Sequence, residues 1–289
     1  MSFKTPPQAS EAAVVSGVSK AAQSWDKVLV GSFLAGAYIA FGGLLAISVS
    51  SGLNPKTWGT LPTLFTGATF SLGLILVVIA GSELLTGNMA LVPIAVFRRK
   101  VSALSMTRNF ALVAVGNLVG SVVVAYFLAI KTGVIGSHGA TSGSAQLTYE
   151  RLAGIAKAKA ITESDYQIFL RAVGCNWLVC LAVWLALAAD DIAGKVLGIF
   201  FPITAFVAMG FDHVVANMFF LPAAYYAGVP GITWTNILNN WLFAGIGNLV
   251  GAAVFVAAAY YYIHLKDADP VTPAAATTKV RGDDFASAD

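Results

Sequence analysis

Six apolar blocks limit what this chain can fold into: residues 28–50, 61–97, 110–130, 169–189, 196–229 and 241–265. Roughly 20 apolar residues rising 1.5 Å each match the hydrocarbon layer of a bilayer, and every block reaches that length. Charged residues make up 11% of the chain against 57% hydrophobic, too few to cover a water-facing surface of 289 residues. The expected solvent is lipid. The expected class is an all-α, multi-pass integral membrane protein, because a chain in lipid must satisfy its own backbone polar groups. The net charge of +3, with basic residues lying between the apolar blocks, gives no nucleic-acid footprint.

Two blocks, 61–97 and 196–229, are too long for one straight span and are polar near the middle. The first carries Ser82-Glu83 and Thr86-Gly87-Asn88, the second Asp212-His213 and Asn217. Short-loop Lys/Arg counts set the topology. Arg98, Arg99, Lys100 and Arg108 follow the second block and Lys195 follows the fourth, while the links after the first and fifth blocks hold one lysine and none. Six spans with both termini cytoplasmic fit best, in a plasma (inner) membrane. Residues 1–27 read as a polar cytoplasmic segment with no apolar leader, 28–265 as the membrane domain and 266–289 as a disordered cytoplasmic tail. The connection 132–165 carries Arg151, Lys157 and Lys159 on the non-cytoplasmic side. Its start, "TGVIGSHGATSGS", reads as loop and "YERLAGIAKAKAI" as a short amphipathic helix. Cys175 and Cys180, five apart, point to different sides of a helix and read as unpaired packing thiols.

The halves repeat each other. "NMALVP" (88–93) matches "NMFFLP" (217–222), an acid stands five residues before each Asn, as Glu83 and Asp212, and a Gly two residues earlier again. "GNLVG" occurs at 116–120 and at 247–251. Lys27 before the first span echoes Lys157 or Lys159 before the fourth. Three spans per half, about 28–131 and 166–265, give the halves opposite orientation, an inverted repeat. In such folds the transport site lies where paired helices are broken near mid-membrane.

His213 is the residue of chief interest. Within a soluble core it would merely satisfy a carbonyl, but an ionisable group at membrane depth is a functional candidate. Its repeat partner is Leu84, so it breaks the symmetry. Glu83 and Asp212 read either as proton-relay carboxylates or as groups that hold the shape of the breaks; their symmetry, shared by Asn88 and Asn217, favours the structural role for Glu83, Asp212 and Asn88. Asn217 stands one turn from His213 and is a hydrogen-bond partner for the ring or a solute. Thr86 reads as a helix N-cap and, equally, as a polar contact beside an N-terminus that favours anions. Periodicity does not separate lumen-facing from lipid-facing positions among Phe70, Leu74, Leu84 and Phe206. Lys27, Lys157 and Lys159 read either as interfacial anchors or as an anion funnel. No enzyme signature, metal-ligand cluster or cofactor motif is present, and no cofactor is expected.

"FSLGLILVVIAGSELLTGNM" (70–89), "CNWLVCLAVW" (175–184) and "GFDHVVANM" (210–218) resemble signature segments of the formate/nitrite transporter family, with likeness across all six spans. The resemblance implies an aquaporin-like six-helix protomer within a homopentamer, one pathway per protomer, and helices 2 and 5 interrupted. It implies His213 as the central pore histidine with Asn217 and Thr86 beside it. It further implies constrictions from Phe70, Leu74, Leu84 and Phe206 on either side of that histidine, and Lys27 and Lys159 as anion-attracting lysines. Leu85 stands where some relatives have an aromatic residue. The expected function is transport of small weak-acid anions, formate or nitrite, with lactate and hydrosulfide as further solutes that charge and size leave open. Protons are the expected co-substrate, because a bare anion pays heavily to enter an oily constriction and its neutral acid does not. The alternatives are a gated anion channel without proton co-transport and, in another class, a neutral-solute aquaporin-like channel. The absence of paired Asn-Pro-Ala boxes argues against the latter.

Overall fold

The computed structural model describes residues 3–268; residues 269–289, most of the tail read as disordered, lie outside the described residues. Helices α1 (Pro6–Ala22), α2 (Trp25–Ser50), α3 (Pro55–Trp58), α4 (Leu61–Ile79), α5 (Leu85–Phe97) and α6 (Ala103–Val123) form the first half. Helices α7 (Gly143–Lys157), α8 (Asp165–Ala188), α9 (Ile192–Ala208), α10 (Val214–Tyr226), α11 (Trp234–Ala252) and α12 (Ala259–His264) follow. Wider π-helical turns carry α6 on to Lys131, α7 to Thr162 and α11 to α12. The only pairing of extended backbone among the described residues is an isolated bridge between Phe3 and Ala189.

Local chemistry sets the helix ends. Ser164 and Thr233 open α8 and α11 with capping boxes, and Asp191 caps α9 by accepting the Gly194 N–H at 2.7 Å. Five helical stretches are long and apolar enough to cross a bilayer: Trp25–Ser50, Leu61–Ile79, Ala103–Lys131, Asp165–Ala188 and Trp234–His264. The sixth expected span is not one helix, because residues 196–229 divide into α9 and α10. Apolar side chains such as Leu185 on α8 and Leu238, Leu242 and Ile246 on α11 face outward. An exterior of that kind suits lipid or neighbouring protein rather than water.

The long helices pack through small residues. α2 lies on α4 and α6, α8 lies on α9 and α11, and α4 meets α9. Both "GNLVG" copies sit at the closest approaches. A methyl added at Gly120 would stand 2.0 Å from the Phe33 carbonyl oxygen on α2, and at Gly251, 2.3 Å from that of Val173 on α8. Only a residue without Cβ lets the backbones come this near.

The segment 1–27 holds more structure than its mixed composition suggested. α1 packs along α5 and buries Ala9, Ser10, Ala13, Val14 and Gly17. In the connection 132–165, the expected short helix is α7 with its π-helical extension. Cys175 and Cys180 are both free and buried.

Candidate functional site

Both long blocks break at matching places. α4 ends at Ile79 and α5 starts at Leu85; α9 ends at Ala208 and α10 starts at Val214. Gly81 (φ 77°) and Gly210 (φ 71°) turn the chain in the left-handed region. The Ser82 N–H then bonds back to the Val77 carbonyl at 2.9 Å, and Phe211 N–H to that of Phe206 at 3.0 Å. α5 and α10 are buried nearly all round, so the polar groups freed at each break cannot turn to water.

The asparagines of the two "GNLVG" copies satisfy them. Asn117 Oδ1 accepts the Leu85 N–H at 2.9 Å, and its Nδ2 donates to the carbonyls of Glu83 (2.9 Å) and Ser32 (2.8 Å). Asn248 Oδ1 accepts the Val214 N–H at 2.8 Å, and its Nδ2 donates to the carbonyls of Asp212 (2.8 Å) and Ala172 (2.9 Å). One side chain therefore stitches each break to the neighbouring long helix.

A second matched set surrounds the acids. Glu83 accepts from Lys20 Nζ (2.9 Å) and Asn88 Nδ2 (2.9 Å), and Asp212 accepts from Lys159 Nζ (2.9 Å) and Asn217 Nδ2 (2.9 Å). Asn88 also donates to Asn109, and Asn217 to Asn240. Those outer asparagines reach the backbone carbonyls of Lys20 and Lys159 in turn. The residue that mirrors Lys159 is thus Lys20 and not Lys27, which corrects the echo read from the sequence. The physical reason is α1, whose last turn delivers Lys20 to Glu83, whereas Lys27 lies exposed on the first turn of α2. Lys157, the alternative echo, is exposed.

The symmetry fails at His213. Its Nδ1 accepts the Ala216 N–H at 3.0 Å, making the ring the N-cap of α10, and its Nε2 lies 2.8 Å from Thr86 Oγ1 across the interface between halves. A nitrogen that accepts an N–H carries no proton, so in the neutral ring the proton is on Nε2 and is donated to the threonine oxygen. Leu84, the N-cap of α5, makes no such bond. Phe206 stacks over the imidazole with centroids 6.0 Å apart and meets Phe70 edge-on at 5.9 Å.

Two cavities approach this centre, and no residue lines both. The first, of about 460 Å³, is lined by Lys20, Gln23, Glu83, Asn88 and Lys195 with Leu74 and Leu84. The second, of about 260 Å³, is lined by Arg151, Lys159, Glu163, Arg171, His213 and Asn217 with Phe70 and Phe206. Phe70 and Leu74 are one turn apart on α4, about 6 Å along the axis, so the apolar separation is thin. α4 runs from the second cavity (Thr63, Thr66, Phe70) to the first (Leu74, Val77, Val78), and α9 runs from the first (Lys195) to the second (Phe206). The cavities therefore lie towards opposite ends of these antiparallel helices.

Sequence reasoning missed several residues here. Asn117 and Asn248 were visible as the middle of a duplicated motif, yet their bonding was not. Asn176, inside "CNWLVC", donates to the carbonyls of Asn248 (2.8 Å) and Thr86 (3.2 Å). Lys20, Glu163 and Arg171 belong to no motif; the packing of α1 brings Lys20 to its cavity, the π-helical turn brings Glu163, and Arg171 reaches Glu163 from the first turns of α8.

The description of the matching family model is formate/nitrite transporter, and it covers residues 7–262. A probable formate transporter of Methanothermobacter thermautotrophicus is 47% identical over 273 residues, covering 92% of this chain and 99% of the relative. Among solved structures, an FNT family ion channel superposes with a TM-score of 0.79 at 30% identity, covering 88% of this chain and 98% of that one. A pentameric formate channel with formate bound gives 0.71 at 29% identity, over 83% and 98%. These relatives are membrane transporters and channels, not enzymes. The chain belongs to the formate/nitrite transporter family of multi-pass membrane proteins.

Proposed function

We propose that this protein carries small monovalent weak acids, formate or nitrite, across the membrane as the neutral acid, so that each anion moves with one proton. The protomer is read as six spans in two inverted three-helix repeats, assembled as a homopentamer with both termini cytoplasmic. Antiparallel α4 and α9 and the matched bonds around Glu83 and Asp212 support the repeat. The pentameric relative supports the assembly.

The observation that carries the reading is the centre itself. Polar cavities with lysine–carboxylate pairs flank a short apolar section that holds one imidazole with its Nε2–H on Thr86. Desolvating an anion there costs many kcal/mol, and its conjugate acid escapes most of that cost. Lys159 at one cavity, and Lys20 with exposed Lys27 at the other side, bias the potential towards anions. Protonation takes place in the cavity. A neutral His213 whose Nδ1 is already bonded to Ala216 N–H has no spare proton to give, because losing Nε2–H would leave an imidazolate. To act as a proton relay the ring must first take a proton at Nδ1 and release that backbone bond. Thr86 and the ring N–H guide the acid by hydrogen bonding, and Asn217 Oδ1, buried and without a donor, suits the O–H of a neutral acid rather than an anion. Phe70 and Phe206 on one side and Leu74 and Leu84 on the other exclude water from this step. Lactate and hydrosulfide have the chemistry to follow the same path.

The test is uptake of labelled formate and nitrite into liposomes from pH 5 to 8, for wild type and His213→Phe. A loss of uptake of at least tenfold across the whole pH range is expected, because the variant lacks the ring N–H that guides the acid. A variant that transports at the wild-type rate would end His213's role.

A further inference from the structure

The two matched acid sites also differ in the residue that stands immediately before each helix cap. Gln23 stands immediately before Ser24, the N-cap of α2, and its Nε2 donates to Glu83 Oε1 at 3.3 Å. Immediately before Ser164, the N-cap of α8, the chain has Glu163 instead. Glu163 lies within hydrogen-bonding reach of Asp212, where an amide donor stands in the first half. Its side chain is only 6% exposed. Oε1 accepts from Arg171 Nη1 at 2.5 Å, and Oε2 is buried with no donor. On Asp212, Oδ1 accepts from Lys159 and Asn217 while Oδ2 is likewise buried with no donor. Two carboxyls in contact, each with an orphaned oxygen, lack one hydrogen between them.

We propose that Glu163 and Asp212 hold a single proton between them, forming a proton-binding site in the wall of the second cavity that sets the charge met by an entering anion. The proton does for Asp212 what the Gln23 amide does for Glu83. Burial first, and then the bond to and charge of Asp212, push the Glu163 carboxyl up to about 7, with Lys159 and Arg171 acting the other way. The groups facing the pair are Lys159 from the π-helical turn, Arg171 and Cys175 from α8, His213 and Asn217 from the second break, Arg151 from α7 and the non-titrating Asn240 from α11. With the proton in place, Arg151, Lys159 and Arg171 are opposed only by Asp212. Above neutral pH Glu163 adds a second negative charge beside Lys159, and anion entry falls.

The consequence for transport rests on the proposed anion pathway; the proton site itself does not, and it is read with no solute present. Infrared difference titration of the protein in lipid, from pH 5 to 9, should show a protonated-carboxyl C=O band lost with a midpoint near 7, absent from Glu163→Gln. Formate uptake in Glu163→Gln should lose about threefold of the wild-type decline between pH 6 and 8, the effect expected of one removed unit charge near the path. No titrating band in wild type, or one unchanged in Glu163→Gln, overturns the proposal. Should Glu163→Gln fail to assemble, Asp212→Asn offers Glu163 an amide donor and must lower the midpoint by about one unit or more; an unmoved midpoint overturns it equally. Absence of formate uptake by wild type would sink the transport reading and leave the infrared result standing.

Discussion

Thr86 Oγ1 and His213 Nε2 stand 2.8 Å apart although 127 residues separate them in the chain. This contact ties the two broken segments together, and both residues are almost completely buried. Thr86→Val keeps the volume but leaves the ring N–H without an acceptor, at a cost of about 1–3 kcal/mol. We expect a lower melting temperature and at least tenfold slower formate uptake, with Thr86→Ser close to wild type in both. Wild-type uptake by Thr86→Val would deny the pair its role.

Each break depends on one asparagine. Asn248→Ala strands the Val214 N–H and the Asp212 carbonyl at the break and cuts its tie to α8, and Asn117→Ala does the same to the Leu85 N–H, the Glu83 carbonyl and the tie to α2. Unsatisfied buried groups cost about 1–3 kcal/mol apiece, so both variants should melt far below wild type in detergent. Asn248→Asp, which keeps the acceptor and loses the donor, should not rescue the fold.

The lysines should separate sharply. Removing Lys159 leaves Asp212 buried without its cation, and removing Lys20 does so to Glu83. Breaking a buried pair costs about 3–5 kcal/mol. Lys27→Met, at an exposed position, should change stability by less than about 1 kcal/mol. Thermal unfolding of the three methionine variants checks this, and equal losses at Lys27 and Lys20 would reverse the assignment.

Stability should also report on Glu163. Its native carboxyl is held up to about 7 by burial and by Asp212, against roughly 4.3 in an unfolded chain. The folded state therefore binds more protons across this window. The contribution is complete below the unfolded value and is lost as pH rises through the native one. Unfolding temperatures from pH 5 to 8 should fall for wild type and stay flatter for Glu163→Gln.

Much of this was legible in the sequence because it depends on length and periodicity. A bilayer fixes helix length, so six apolar blocks gave the helical class, and the paired polar interruptions marked both helix breaks. The duplicated "GNLVG" marked close helix packing, since the absence of Cβ at Gly120 and Gly251 is visible in a sequence. What the asparagine within it bonds to was not visible, because partners such as the Asp212 carbonyl are set by the fold. Lys20 escaped for another reason. α1 buries only small side chains and places its lysine at Glu83 across 63 residues. A lysine nearer the first span was the natural choice from spacing alone. Glu163 carries no motif, and its meaning emerges only beside Gln23 in the other half.

Passage as the neutral acid is tested most directly by charge movement. Proteoliposomes containing the wild-type protein are given an inward formate gradient while external pH, formate uptake and current are recorded together. Transport as formic acid predicts one proton taken from outside per formate, no net current, and a rate indifferent to an imposed potential. Formate uptake that carries current, follows the potential and leaves external pH unchanged would contradict it.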